Sequence, residues 1–281
     1  MQEEIRYLKL ILEYDGTDFH GWQVQPDQRT VQGTLIEALK TITRSEVTVQ
    51  GASRTDSGVH AFGQVARALI QSKIPAIKVR PALNGVLPND VSVRFVEEVD
   101  EAFHPRFQNR GKHYRYLISN GAWPHPLRRR IAWHRHQNLD VEGMNEAAQF
   151  FIGTHNFAAL APSKEERSTT RTIQNLVVTR FNSGQEHCGY NGETHGDEDS
   201  MISIDVAGDG FLWNMVRTIA GTLVEVGRGA MQPSFIAELL RSCDRRQAGP
   251  TAPPQGLSLI RIFYDEEPRA VPPWQEKVIV A

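Results

Sequence analysis

The chain has 281 residues, of which 40% are hydrophobic and 23% charged, and a formal net charge of −2. That length buries a real core as one large or two ordinary domains, and the composition excludes a disordered, fibrous or disulfide-stapled protein. The expectation is a cytoplasmic protein with no membrane association: no apolar run approaches the roughly 20 residues that span a bilayer, the first residues lack the apolar stretch of a secretion signal, and Cys188 and Cys243 have no partner motif.

Residues 7–14 alternate, with Leu8, Leu10, Leu12 and Tyr14 on one face, and predict a half-buried strand. A turn-rich loop, residues 15–23, follows. Thr30 caps a helix in which Val31, Leu35, Leu39 and Ile42 recur at helical spacing. A strand near Val47 and Val49, a Gly-bracketed loop, a strand through Val65 to Ile70, a helix over 79–87 and a strand over 91–99 complete the first unit. Its order, strand-helix-strand-strand-helix-strand, is that of a ferredoxin-like α+β domain. The second unit is expected to hold strands at 112–118, 173–180, 201–206 and 257–263. Its helices are expected after Asp140, over 211–226 and over 234–241. The segment 182–200 reads as an exposed acidic hairpin loop and the tail after Asp265 as peripheral. The expected organisation is an N-terminal domain 1–105, a C-terminal domain 106–265 and a tail 266–281, with the boundary near 101–111.

The loop Gly51-Ala52-Ser53-Arg54-Thr55-Asp56-Ser57-Gly58-Val59-His60-Ala61 lies between two β-rich runs. Scaffolds hold reactive side chains in loops of this kind. Alternate residues of an extended segment share a face, so Arg54 and Asp56 point the same way, a carboxylate kept ionised and oriented by a guanidinium. Spacing alone favours the blander reading, a loop Asp in an Asx-turn with Arg54 as a surface partner.

The wording of this loop is more specific than its spacing. It resembles the catalytic loop G-R-T-D-x-G-V-H-A of the tRNA pseudouridine synthases of the TruA family, with Ser53 where many members carry Gly. Four other segments resemble the same family in order. Residues 14–25 match Y-D-G-T-x-F-x-G-W-Q-x-Q. Lys112-His113-Tyr114-Arg115-Tyr116 matches a K/R-x-Y-R-Y strand, and residues 211–217 match an F-x-x-x-M-V-R helix start. Thr251-Ala252-Pro253-Pro254-Gln255-Gly256-Leu257 matches an A-P-x-x-G-L turn. His155-Asn156-Phe157 departs from the commoner H-D-F at a supporting position, and the acidic loop is enlarged.

The resemblance implies a pseudouridine synthase fold of two tandem ferredoxin-like domains, with antiparallel or mixed sheets flanking a central RNA-binding cleft. It implies isomerisation of uridine to pseudouridine at positions 38, 39 and 40 of the tRNA anticodon stem-loop, by a homodimer that uses no cofactor and no metal. The residues it implies are Asp56 as the nucleophile, Arg54 and Arg217 beside it, and Tyr114 against the flipped base. Arg217 is expected to form a buried ion pair with Asp56. For RNA contact the expected segments are 103–107 and 164–172, with Arg106, Phe107, Lys112, Thr170 and Arg171 as the named residues. By pattern alone Tyr114 reads as a core aromatic and Arg217 as a helix-surface charge.

The net charge requires any RNA-binding protein of this sequence to gather its basic residues on one face. Arg106, Arg110, Lys112 and Arg115 form one cluster and Arg128-Arg129-Arg130 another, with acid concentrated in 197–199 and 265–267. His187, Cys188 and His195 in the acidic loop, and His134 with His136, do not match a zinc spacing. No Walker loop is present, and Gly208-Asp209-Gly210 lacks the third glycine of a dinucleotide fingerprint. Two rival functions differ in outcome. A nucleic-acid N-glycosidase would release free uracil, and a non-catalytic tRNA-binding module would be indifferent to Asp56→Asn.

Overall fold

The alternating apolar residues at the start of the chain form strand β1 (Ile5–Tyr14), whose Leu8, Leu10 and Leu12 are fully buried. The computed structural model describes residues 5–162, 168–181 and 200–265. Helix α1 (Val31–Thr43) starts where expected, because the Thr30 hydroxyl accepts the Gly33 N–H, and it ends at Arg44 in the left-handed region. Strands β2 (Thr48–Gly51), β3 (His60–Gln71) and β4 (Val91–Val99) complete the sheet, with helix α2 (Ala76–Asn84) between the last two. Helix α2 begins three residues before the expected 79, directly after Pro75. Its chain turns out at Gly85, so 85–87 are not helical. The Asn84 side chain ties that end to the backbone of Val93 through a donated bond of 2.9 Å and an accepted bond of 2.8 Å.

The described residues divide into two compact units. The first contains the chain up to Lys112 and takes it back from Ser258 onward, and the second runs from His113 to Leu257. In the first unit β1 lies between β3 and β4, antiparallel to both. The other edge of β3 is shared: β2 pairs antiparallel with Ala66–Leu69, and strand β10 (Leu257–Phe263) pairs parallel at His60 and Ala61. The element order β-α-β-β-α-β is the expected ferredoxin-like one. The expected extent 106–265 for the C-terminal domain stands beside this clustering, in which β10 goes with the first unit.

In the second unit the strand order is β5 (Gly111–Asn120), β9 (Ser200–Gly208), β8 (Thr170–Phe181) and β7 (Gly153–Asn156). A short strand β6 (Trp133–Arg135) runs parallel to the end of β5. Asp140 caps helix α3 (Val141–Gln149) by accepting the Gly143 N–H, as the sequence suggests. Helices α4 (Met215–Gly227) and α5 (Phe235–Ser242) complete the unit. Along the chain β5, α3, β8, β9, α4 and β10 repeat the strand-helix-strand-strand-helix-strand order, with β6, β7 and α5 inserted. The fold is therefore α+β. Among the described residues, no helix is long and apolar enough to cross a membrane.

Candidate active site

Asp56 sits in the loop between β2 and β3, and the residues around it alternate in burial. Ser53 and Thr55 are buried, Arg54 is exposed, and Asp56 is half-buried. Arg54 and Asp56 thus share the outward face, as the period of two predicts. The inward face is clamped. Gln64, fully buried on β3, donates through Nε2 to the Ser53 carbonyl at 2.8 Å and accepts the Ser53 N–H at 3.2 Å through Oε1. The Tyr14 and Thr55 hydroxyls are bonded at 2.8 Å, and Gln64 Nε2 also reaches Tyr14 Oη at 3.4 Å. Both residues next to Asp56's neighbour Arg54 are therefore held from below by a buried polar network, which fixes the backbone that aims the carboxylate.

The loop 15–23 closes the other side. Trp22 N–H donates to the Thr55 carbonyl at 3.0 Å, and the Phe19 carbonyl accepts the Gly58 N–H at 3.2 Å. Gly21 has φ +86°, and a Cβ there would stand 2.7 Å from the Thr55 carbonyl oxygen, so this approach requires glycine. Gly16 N–H donates to His60 Nδ1 at 3.0 Å, and Asp15 Oδ1 lies 3.2 Å from the same nitrogen. Asp15 also accepts the Thr17 N–H at 3.0 Å in an Asx-turn.

In the second unit β5 carries Tyr114 and Tyr116 on one face, with His113 and Arg115 on the other. His113 Nε2 and Arg115 Nε both meet Asp205 Oδ1 of β9, at 2.7 and 2.8 Å, with the carboxylate fully buried. Tyr114 is 7% exposed, and its ring meets Phe211 edge-on at 5.3 Å. Tyr116 donates to the Pro253 carbonyl at 2.8 Å, and a Cβ on Gly256 would strike its ring at 2.5 Å, which is why the 251–257 turn has glycine there. Burial pushes the Tyr116 phenol above its ordinary range, and the Arg217 guanidinium opposes that shift.

Arg217 lies in the first turn of α4. Its Nε donates to the Ala252 carbonyl at 2.7 Å, its Nη1 donates to Asn214 Oδ1 at 2.9 Å, and its own carbonyl accepts the Ala252 N–H at 3.1 Å. The approach of α4 to this loop depends on Gly221, where a Cβ would lie 1.7 Å from the Pro250 carbonyl oxygen. The helix expected from Phe211 starts instead at Met215. Asn214, at φ 60°, is left-handed and breaks the run, which frees Phe211 to pack on Tyr114.

The expected RNA-contacting residues are distributed between the units. Arg106 and Phe107 lie in an exposed turn, where Phe107 is 76% exposed and 4.2 Å from the His104 ring. Lys112 is half-buried at the start of β5. Thr170 is exposed at the start of β8, and Arg171 beside it folds back to donate to the Ser168 and Thr170 carbonyls at 2.8 and 2.6 Å. Lys164 lies outside the described residues, as do His187, Cys188, His195 and the acidic loop 182–199. Among the described residues no three His, Cys, Asp or Glu side chains gather to hold a metal ion. Reading the sequence did not single out Gln64 or Asp205. A polar residue inside an apolar strand run was the available signal in both cases.

A family model described as tRNA pseudouridine synthase matches residues 10–108 and 147–265. The tRNA pseudouridine synthase A of Acetivibrio thermocellus is 43% identical over 261 residues, covering 92% of this chain and 100% of that protein. The proteins of the same name from Ruminiclostridium cellulolyticum and Thermoanaerobacter sp. are 44% and 42% identical over the same share of each chain. A solved H/ACA RNP bound to a substrate RNA containing 2′-deoxyuridine aligns with 81% of this chain and 54% of its own, at 12% identity and a TM-score of 0.30. A clamped Asp loop in a chain matched along most of its length by that family model leaves one assignment: the chain belongs to the tRNA pseudouridine synthase family.

Proposed function

We propose that the protein isomerises uridine to pseudouridine at positions 38, 39 and 40 of the tRNA anticodon stem-loop, as a cytoplasmic homodimer without a cofactor. The observation that carries this reading is Asp56 on the outward face of a loop whose inward face is fixed by Gln64, Tyr14 and Thr55. A stacked uridine is out of reach of such a carboxylate, so the nucleotide is extruded first. Asp56 attacks ribose C1′ or uracil C6, the N1–C1′ bond breaks, and the ring turns. C5 then bonds to C1′ and Asp56 is released, while the C5 proton passes to water and N1, left with the electron pair of the broken bond, takes a proton up from water. Atoms balance between uridine and its isomer, so no co-substrate is consumed.

Tyr114 supports the flipped base, Arg54 takes the phosphate beside it, and Arg217 provides a second guanidinium for the anionic centre. Arg106, Phe107, Lys112, Thr170 and Arg171 contact the RNA around the site. A homodimer lets two modest basic faces serve one tRNA, which suits a chain of net charge −2. The test is tritium release from unmodified tRNA labelled at uridine C5, for wild type and Asp56→Asn. Release by wild type alone, with tRNA binding retained in the variant, is the expected result. No release by wild type, or equal release by both, would overturn the assignment.

A further inference from the structure

Residues 121–139 contain four arginines and three histidines without a single Asp or Glu, in a chain that is acidic as a whole. The stretch is the connection from β5 through β6 toward α3, and it is firmly built. Asn120 Nδ2 donates to the Arg135 and Gln137 carbonyls at 2.9 and 2.7 Å, and β6 lies in register beside β5. A single 3-10 turn, Pro126–Arg128, leads into the cluster, in which Arg129 and Arg130 are exposed and Arg128 is half-buried, and Arg129 Nη1 donates to the Pro126 carbonyl at 3.0 Å. The same connection exposes two large apolar side chains, Trp123 at 79% and Leu127 at 93%.

We infer that this surface of the second unit is a docking site for the RNA itself, with Trp123 as a stacking platform for an unpaired base and Arg128 to Arg130 on the phosphates that flank it. Charge selects the occupant. A second copy of this chain seated symmetrically on the patch would set one arginine cluster against another. A polyanion with flat, stackable bases uses both the guanidinium groups and the indole face. The structure shows the pairing of these two chemistries on a smaller scale nearby, where the Arg135 guanidinium lies 4.9 Å over the Trp133 ring. The inference rests on the tRNA-modifying reading above. It adds a contact outside the residues assigned to the reacting nucleotide, and so a contribution to affinity that leaves the chemical step alone.

The experiment measures affinity for unmodified tRNA by fluorescence anisotropy across a salt series. Wild type is compared with the triple variant Arg128→Gln/Arg129→Gln/Arg130→Gln, the double variant Arg129→Gln/Arg130→Gln, and Trp123→Ala. Circular dichroism confirms folding, and the double variant, which changes only exposed side chains, stands in if the triple variant does not fold. Each phosphate contact adds about 0.7–0.9 to the salt exponent, so between about 50 and 200 mM salt wild-type affinity should fall about 20–40-fold further than that of the triple variant. Trp123→Ala should weaken binding with the salt slope unchanged. Turnover at saturating tRNA should stay at the wild-type value while KM rises.

An unchanged affinity and slope in folded arginine variants would overturn the inference, as would a variant that becomes monomeric in sedimentation velocity with RNA binding intact, which would assign the patch to a second copy. Failure of wild type to release tritium would remove the pseudouridine reading while leaving the slope comparison valid, so the two failures are separable.

Discussion

Replacing Gln64 with Leu tests whether the clamp beneath Asp56 matters to catalysis or only to folding. Gln64 is fully buried and satisfies both backbone groups of Ser53, itself only 7% exposed, besides reaching Tyr14 Oη. Leucine keeps the volume and the apolar fit but removes the bonds that Gln64 makes to the buried N–H and C=O of Ser53. At about 1–3 kcal/mol for each of the two lost bonds, the loss is about 2–6 kcal/mol. For a chain of this size that lowers Tm by about 5–15 °C. The catalytic effect is a separate quantity. On the proposed mechanism a displacement of order 1 Å in the Asp56 carboxylate lowers turnover by up to about 100-fold, so kcat measured well below Tm should fall about 10–100-fold. Asn145→Leu is the control. Asn145 likewise bonds both backbone groups of one buried residue, Val178, at 2.6 and 2.8 Å, but it lies in the second unit and outside the two loops described around Asp56. Thermal melts and tritium release on both variants should show similar losses of Tm with kcat reduced mainly in Gln64→Leu. Equal kcat in the two variants would refute the reasoning, because stability alone would then explain everything the clamp does.

Two further outcomes follow from the second unit and its packing. Gly221→Ala places a methyl group 1.7 Å from the Pro250 carbonyl and must part α4 from the loop whose Ala252 carbonyl holds Arg217. The expected loss is about 3 kcal/mol by urea denaturation together with a fall in kcat, and an unchanged unfolding midpoint would contradict the packing described. The Tyr116 and Tyr264 phenols are both raised above the ordinary value of 10.0, chiefly by burial. The unfolded chain therefore gives up these protons at a lower pH than the native one, so the associated stability is whole below pH 10 and is lost as pH rises past it. Stability above about pH 10 should decline by about 1.4 kcal/mol per pH unit for each of these groups, and Tyr116→Phe should remove one such contribution from the slope. A slope unaltered in that variant would show that Tyr116 ionises freely in the folded protein.

Legibility in the sequence follows the range of the interaction. The alternation of Leu8, Leu10 and Leu12 and the caps at Thr30 and Asp140 act within a few residues, and each produced the expected element. The strands Trp133–Arg135 and Gly153–Asn156 are too short to carry a period, and only pairing with β5 and β8 makes them strands. The start of α4 was misplaced because Leu212 continues the apolar spacing while Asn214 adopts a left-handed backbone that no spacing reveals. At the site the outward face shared by Arg54 and Asp56 was legible from a period of two. The clamp was not, since Gln64 reaches back eleven residues to Ser53 through backbone atoms that any residue possesses.

The segment by which the chain resembles its family at residues 14–25 then takes on a definite physical meaning. Tyr14 bonds Thr55, Gly16 bonds His60, Phe19 accepts from Gly58, Gly21 leaves room for the Thr55 carbonyl, and Trp22 bonds that same carbonyl. Gln25 closes the segment on itself by donating to the His20 carbonyl at 2.9 Å. None of these residues is assigned to the RNA. Their common property is contact with the loop that carries Asp56 or with the turn that braces it. A reaction in which one carboxylate does the covalent work needs few reactive groups and a great deal of positioning, because misplacement of that one group is not compensated elsewhere. The signature 31 to 42 residues before Asp56 is accordingly a record of how Asp56 is held. Damage to it should resemble damage to Asp56 in turnover while leaving the affinity for tRNA intact, the opposite of what the arginine cluster at 128–130 should show.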